Sequence, residues 1–180
     1  GEATRALDAG ARGIKLHPRA EQFTMHHEGV RPLAALAHER NVPILIHAGR
    51  GIPALGTDTL TLARDFPDAR FILAHAAISD LSWIYARLPE HPNVLIDTSW
   101  WNPSDLLAVF ALVPPGQVLF ASDSPYGSPV QATVVTLRCA LQVGLGEPQV
   151  RGVAGETLAR LLDAGELSDL GAAPGGDGMR

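Results

Sequence analysis

The sequence predicts an α/β fold built on a parallel sheet. Five short apolar runs recur along it, each is followed by a segment of helical periodicity, and the runs begin 23 to 30 residues apart, about the length of one strand-helix unit. The runs are 13–16 (GIKL), 43–46 (PILI), 70–74 (RFILA), 93–96 (NVLI) and 117–121 (QVLFA). They lack the polar alternation of a half-solvated strand and are rich in Ile, Val, Leu and Phe, which marks strands covered on both faces.

Taken in order, the opening from Gly1 (GEATRALDAGARG) reads as the second half of a helix running into a turn, as expected where a chain continues a longer one. Gly10 and Gly13 lead into the first run, Asn41 and Pro43 into the second, and Pro92 into the fourth. Helices are expected at 31–40, 57–66, 81–88, 104–112 and 130–143, the last from Val134, Leu137 and Leu141 at helical spacing, and a final one at 156–164 (ETLARLLDA, to Ala164). Residues 1–166 form one unit on this reading. Residues 167–180, rich in Gly, Ala and Asp without periodicity, read as a flexible tail. Two architectures fit: a complete doubly wound open sheet, or the last five strands of an eight-stranded barrel of about 250 residues. Periodicity alone does not separate them.

Composition narrows the class. With 46% hydrophobic and 18% charged residues in 180, the chain can bury a sizeable core and is neither disordered nor fibrous. A net charge of −5 and singly scattered arginines argue against a nucleic-acid partner. No apolar run approaches the roughly 20 residues of a membrane helix, and no charged-then-apolar leader precedes the first element. No membrane partner and a cytoplasmic location are therefore expected. The single cysteine, Cys139 in TLRCALQV, reads as a small core residue in a reducing compartment.

The chemistry sits directly after the strands, where both candidate folds place their sites. The second run ends in His47 (ILIHAG), the third in His75 (FILAHAA) and the fifth in Asp123 (LFASDSPYG), while the first contains Lys15 and leads to His17 (IKLHP). One histidine after a buried strand is usually a satisfied core or loop residue. Three such groups in register bring imidazole and carboxylate donors to one rim. That N/O set suits zinc, manganese or iron, and a bound divalent ion would offset the cost of burying a charged carboxylate.

These motifs, with VLIDTSW at 94–100, resemble the amidohydrolase-related branch of the metal-dependent hydrolases, from about residue 3 to 164. The resemblance implies an incomplete TIM-type (β/α)8 barrel, strands 4 to 8 with flanking helices. It implies that His47 is a metal ligand, and that Asp123 binds the metal and takes a proton from the attacking water. His75 would orient or polarise the substrate or serve as a further ligand. The cofactor implied is a divalent metal, zinc first, with manganese or iron as alternatives. Two departures stand out: the family's His-x-His pair from strand 1 does not occur in this sequence, and Gly155-Glu156-Thr157 stands where the family commonly has Gly-Asn.

Lys15 reads as an anchor for loops or a substrate carboxylate in preference to a carboxylated bridging ligand. His17 lines the pocket or faces solvent from a turn. Arg19 and Arg50 lie just beyond strand ends, where a guanidinium could hold an acidic substrate group or simply face solvent. Trp100 and Trp101 follow the fourth run and could wall the site or pack in the core. Ser99, Ser122 and Ser124 lack the Gly-x-Ser-x-Gly elbow of a serine nucleophile, and there is neither a G-x-G-x-x-G nor a P-loop to cradle phosphates. The leading reading is a metal-dependent hydrolase of a small, acidic amide, ester or lactone-like molecule. The alternatives are a decarboxylase of the same family, a catalytically silent barrel fragment whose open strand edges favour association into a homo-oligomer, and a doubly wound binding module.

Overall fold

The computed structural model describes residues 1–49, 53–99, 102–167 and 169–175. Its strands are β1 (Ile14–Leu16), β2 (Pro43–Ile46), β3 (Arg70–Leu73), β4 (Val94–Asp97) and β5 (Val118–Leu119), all parallel and bonded in the order β1-β2-β3-β4-β5. An order that follows the chain rules out the doubly wound arrangement, which reverses at a switch point. The sheet is part of a (β/α) barrel.

The helices are α1 (Glu2–Asp8), α2 (Pro18–Glu21), α3 (Val30–Arg40), α4 (Gly56–Asp65), α5 (Leu81–Ile84), α6 (Pro103–Leu112), α7 (Pro129–Val143), α8 (Glu147–Arg151) and α9 (Thr157–Leu162). Local chemistry sets their ends. Pro18, Pro103 and Pro129 occupy first turns, where no N–H is needed. Asn102 and Ser128 accept from the N–H groups of Asp105 and Gln131. Helices α3 and α7 stop at the left-handed residues Asn41 (φ 49°) and Gly144 (φ 94°). No described helix is long and apolar enough to cross a membrane.

Strand alternation separates two faces. Leu16, Ile44, Ile46, Phe71, Leu73, Val94, Ile96 and Val118 enter the main core with Ala34, Ala37, Leu60, Ala63 and Phe110 from the helices. The other face carries Ile72, Leu95 and Leu119, packed with Leu161 of α9 and flanked by Leu45 and Leu167. Lys15 and Asp97 share that face, since Lys15 is in register with Leu45 and Asp97 with Leu119. Two buried amides tie successive units together. Asn93 Nδ2 donates to the carbonyls of Ala63 and Ala69 at 3.0 and 3.1 Å, and Gln117 Nε2 lies 2.8, 3.0 and 2.8 Å from those of Leu88, His91 and Val94.

Several elements differ from the sequence reading. The fifth strand pairs only over Val118–Leu119 because the Phe120 N–H turns to the Val153 carbonyl and the Ala121 N–H to Thr98 Oγ1. The helix expected at 81–88 stops at Ile84, and Pro89, which has no N–H to give, begins a separate 3-10 turn over Leu88–Glu90. On α7, Val134 and Leu141 are exposed, while Thr136, Cys139 and Ala140 form the buried side. The helix is apolar on more than one side, and spacing alone does not say which of them is buried. Helix α8 and the π-helical segment Gly152–Glu156 have no counterpart in that reading. Within the segment read as a tail, the Leu170 carbonyl accepts from Gln149 Nε2 at 3.0 Å, and the Gly175 N–H donates to the Ala111 carbonyl at 2.8 Å.

Candidate active site

Parallel strands deliver polar side chains to one rim. From β1 come Lys15 and His17, from β2 His47, and from β3 the turn Ala74–Ala77 that holds His75. From β4 come Asp97 and Ser99, and beyond β5 lies Asp123. All seven line one cavity of about 840 Å³, joined by Arg19 and Tyr126. Arg50 and Trp100 lie outside the described residues. The structure therefore brings together Lys15, His17, His47, His75 and Asp123, the five site candidates it describes.

The backbone around this cavity is unusual. His75, Ala76 and Ala77 have φ of 58°, 49° and 52°, and Asp123 has φ of 54°. Left-handed backbone costs a residue with a Cβ roughly 1–2 kcal/mol, so such a run persists only where its surroundings hold it. Here the His75 N–H donates to Asp97 Oδ1 at 2.9 Å, and the Asp123 carbonyl accepts from the N–H groups of Tyr126 and Gly127 at 2.8 and 3.0 Å. Gly49 makes a close approach. A Cβ there would lie 2.8 Å from His75 Cδ2, nearer than real Cβ atoms come, and 3.0 Å from His47 Cε1, a tight contact.

His47 is at the centre. Its ring stacks on His17 with centroids 4.0 Å apart and planes 13° apart, and it meets the His75 ring edge-on at 4.8 Å. His47 Nδ1 is 3.2 Å from His75 Nε2. Its other nitrogen, Nε2, is buried without a hydrogen-bond partner, a condition shared among the described residues only with Thr59 Oγ1. Desolvation, reinforced by the neighbouring His17, His75, Lys15 and Arg19, pushes the His47 pKa down from 6.5 to about 4. The imidazole is thus neutral at neutral pH, with one nitrogen lone pair to give. A neutral ring whose second nitrogen is buried and unpartnered fits a metal ligand. Burial also lowers the Lys15 pKa, against the raising influence of Asp97, Asp123 and Glu21. Among the described residues, no group of three or more His, Cys, Asp or Glu is placed to hold an ion by itself, so the donor set that fits is a partial one.

Gly49, Asp97, Ser99 and Tyr126 line the site without a role assigned from sequence. Asp97 is 6% exposed and Ser99 2% exposed. The Ser99 Oγ–H donates to Asp97 Oδ1 at 2.6 Å, and Ser99 Oγ lies 2.9 Å from His75 Nδ1. The legible signal was position, since Asp97 ends a strand just as His47 follows one.

A partial parallel barrel with its polar side chains gathered on the strand-end rim has the arrangement of the (β/α)-barrel enzymes. Residues 2–164 match the amidohydrolase family, and the chain belongs to it. Among solved structures it is similar to an uncharacterized TIM-barrel protein from Bordetella bronchiseptica, with 19% identity, TM-score 0.71, and 90% of this chain and 60% of that one covered. It is similar to 4-oxalomesaconate hydratase from Rhodopseudomonas palustris, with 18% identity, TM-score 0.66, and 87% and 57% covered. A dihydroxybenzoic acid decarboxylase from Polaromonas, solved with bound manganese and the inhibitor 2-nitroresorcinol, gives 15% identity, TM-score 0.57, and 78% and 55% covered. The chain thus spans less than two thirds of the length of these three structures. No curated protein matches it.

Proposed function

We propose that this chain carries part of the active site of a metal-dependent enzyme of the amidohydrolase family, acting on a small, acidic substrate by hydrolysis of an amide, ester or lactone-like bond. The observation that carries the reading is the buried, unpartnered Nε2 of a neutral His47, beside His75 and in one cavity with Asp123. His47 and Asp123 would hold a divalent ion, zinc or manganese, with further ligands from outside the described set. Such an ion, when bound, supplies a Lewis acid that lowers the pKa of water to about 7. The Asp123 carboxylate accepts the proton that the attacking water gives up and returns it to the leaving group. His75 Nε2 pairs with His47 Nδ1 at 3.2 Å in the metal-free chain, and would hydrogen-bond the substrate or serve as a further ligand where that bond opens. Lys15 holds the substrate's acidic group and His17 walls the pocket, while Arg50 and Trp100, outside the described residues, are the further candidates for substrate binding.

Decarboxylation is the second reading, favoured by the decarboxylases among the similar structures. The same residues would then orient an aromatic or unsaturated acid, and assay for carbon dioxide release would separate the two. The metal site itself is tested by elemental analysis of the purified chain grown with zinc and manganese, beside His47→Ala and Asp123→Ala. Bound metal in the wild type that is lost in both variants is the expected result. A wild-type chain free of metal would overturn the reading in favour of a scaffold.

A further inference from the structure

Asp97 and Ser99 have no part in the chemistry proposed above, yet they are the most deeply buried polar side chains of the site. We infer that Ser99, anchored by Asp97, is a positioning residue that fixes the ring tautomers of His75 and His47 and leaves the His47 Nε2 lone pair free for a ligand. The inference rests on the metal-site reading for its functional meaning, though not for its geometry.

The hydrogen bonds run in one direction. Asp97 Oδ1 accepts from the N–H groups of His75 and Ser99, at 2.9 and 3.0 Å, and from the Ser99 hydroxyl at 2.6 Å. The last is the length of a charge-assisted O–H···O⁻ bond, stronger than a neutral alternative, so the hydroxyl proton is committed to the carboxylate. Ser99 Oγ can then only accept at its 2.9 Å contact with His75 Nδ1, which places the ring proton of His75 on Nδ1. His75 Nε2, left with a lone pair, accepts from His47 Nδ1 at 3.2 Å. In a neutral ring a proton on Nδ1 leaves Nε2 bare, as its lack of a partner requires.

The far end of the chain of bonds gives the same answer independently. His47 Nε2 is buried and unpartnered, and a buried N–H without an acceptor is rarer and costlier than an acceptor without a donor. Reversing the relay would put that unpaired N–H in the site and take the Ser99 proton from the carboxylate. The left-handed turn at His75–Ala77 serves the same end, because it aims the His75 N–H at Asp97 while its ring reaches Ser99.

The test is long-range nitrogen–proton NMR of the metal-free chain with ring-labelled histidine, near neutral pH. In the wild type, His47 and His75 are each expected to show a protonated Nδ1 and a bare Nε2. Ser99→Ala should convert both to tautomer mixtures with Nε2 protonated in part, and Ser99→Thr, which keeps the hydroxyl, should restore the wild-type pattern. A wild-type His47 protonated at Nε2 would overturn the inference without any variant, as would a Ser99→Ala chain with unchanged rings. Manganese titration separates the two proposals: Ser99→Ala should weaken binding about 10–100-fold, the usual effect of losing an outer partner of a ligand. If the tautomers are as expected but the chain takes no manganese, the relay stands and the metal reading fails. Equal binding by wild type and Ser99→Ala would mean the reverse.

Discussion

The geometry of the two histidines depends on a residue with no side chain. Gly49 lies against both rings, and a methyl group there would come 2.8 Å from His75 Cδ2 and 3.1 Å from His47 Nε2 itself. Gly49→Ala should force the rings apart, weaken manganese binding at least about tenfold, as disturbing a ligand's surroundings does, and destabilise the fold by about 1–3 kcal/mol through overpacking. Calorimetric titration and urea unfolding would measure the two, and unchanged affinity would mean that the rings adjust without loss. This residue shows what the sequence could and could not reveal at the site. His47, His75 and Asp123 stand out because polar, metal-ligating side chains directly after apolar runs are unusual. Gly49 reads as ordinary loop punctuation, and Ser99 invites only a nucleophile test, because their importance lies in packing and hydrogen bonding across strands. Asp97 directly follows an apolar run just as His47 does, but only the register beside β5 shows that it faces the same way as Lys15.

Among the elements, strand order and spacing were legible because each unit repeats the same construction. The starts of β1 to β4 lie within one residue of the apolar runs. The end of β5 failed where a tertiary partner displaced a local one, since Val153 draws Phe120 out of it, and on α7 the buried Cys139 lies against the Pro103 carbonyl of α6. The joints between units rest on buried amides that periodicity cannot find. Asn93 and Gln117 each precede a strand and gather the carbonyls of the preceding segment. The Leu88 and His91 carbonyls also accept from the N–H groups of His91 and Val94, so removing the Gln117 amide takes one bond from each carbonyl and not every donor, at about 1–3 kcal/mol in all. Gln117→Ala should therefore lower unfolding free energy by about that amount, measured by urea denaturation, with the tautomers of His47 and His75 unaltered. A loss much smaller than this would mean that water replaces the amide at the joint.

At the scale of the whole molecule, the unusual surface is the inner face of the sheet. In a closed barrel this face is covered by the strands opposite. Among the described residues, Ile72, Leu95 and Leu119 are instead packed by Leu161 of α9, with Leu167 against the same cluster. The segment after residue 164 is thus more than an appendage if Leu167 shields apolar surface that would otherwise face water. The hydrogen bonds of Leu170 with Gln149 and of Gly175 with Ala111 tie these two described residues to the body. Removing residues 166–180 should then cost about 1–2 kcal/mol, somewhat less than full burial of one leucine. For a chain of this size that lowers the unfolding midpoint by roughly 2–8 °C. Binding of a dye such as ANS should rise as the inner cluster opens, and sedimentation velocity should show stronger association of the shortened chain. A midpoint and dye signal unchanged by the truncation would instead identify the segment as a free tail, and would leave Leu161 alone to cover the inner face.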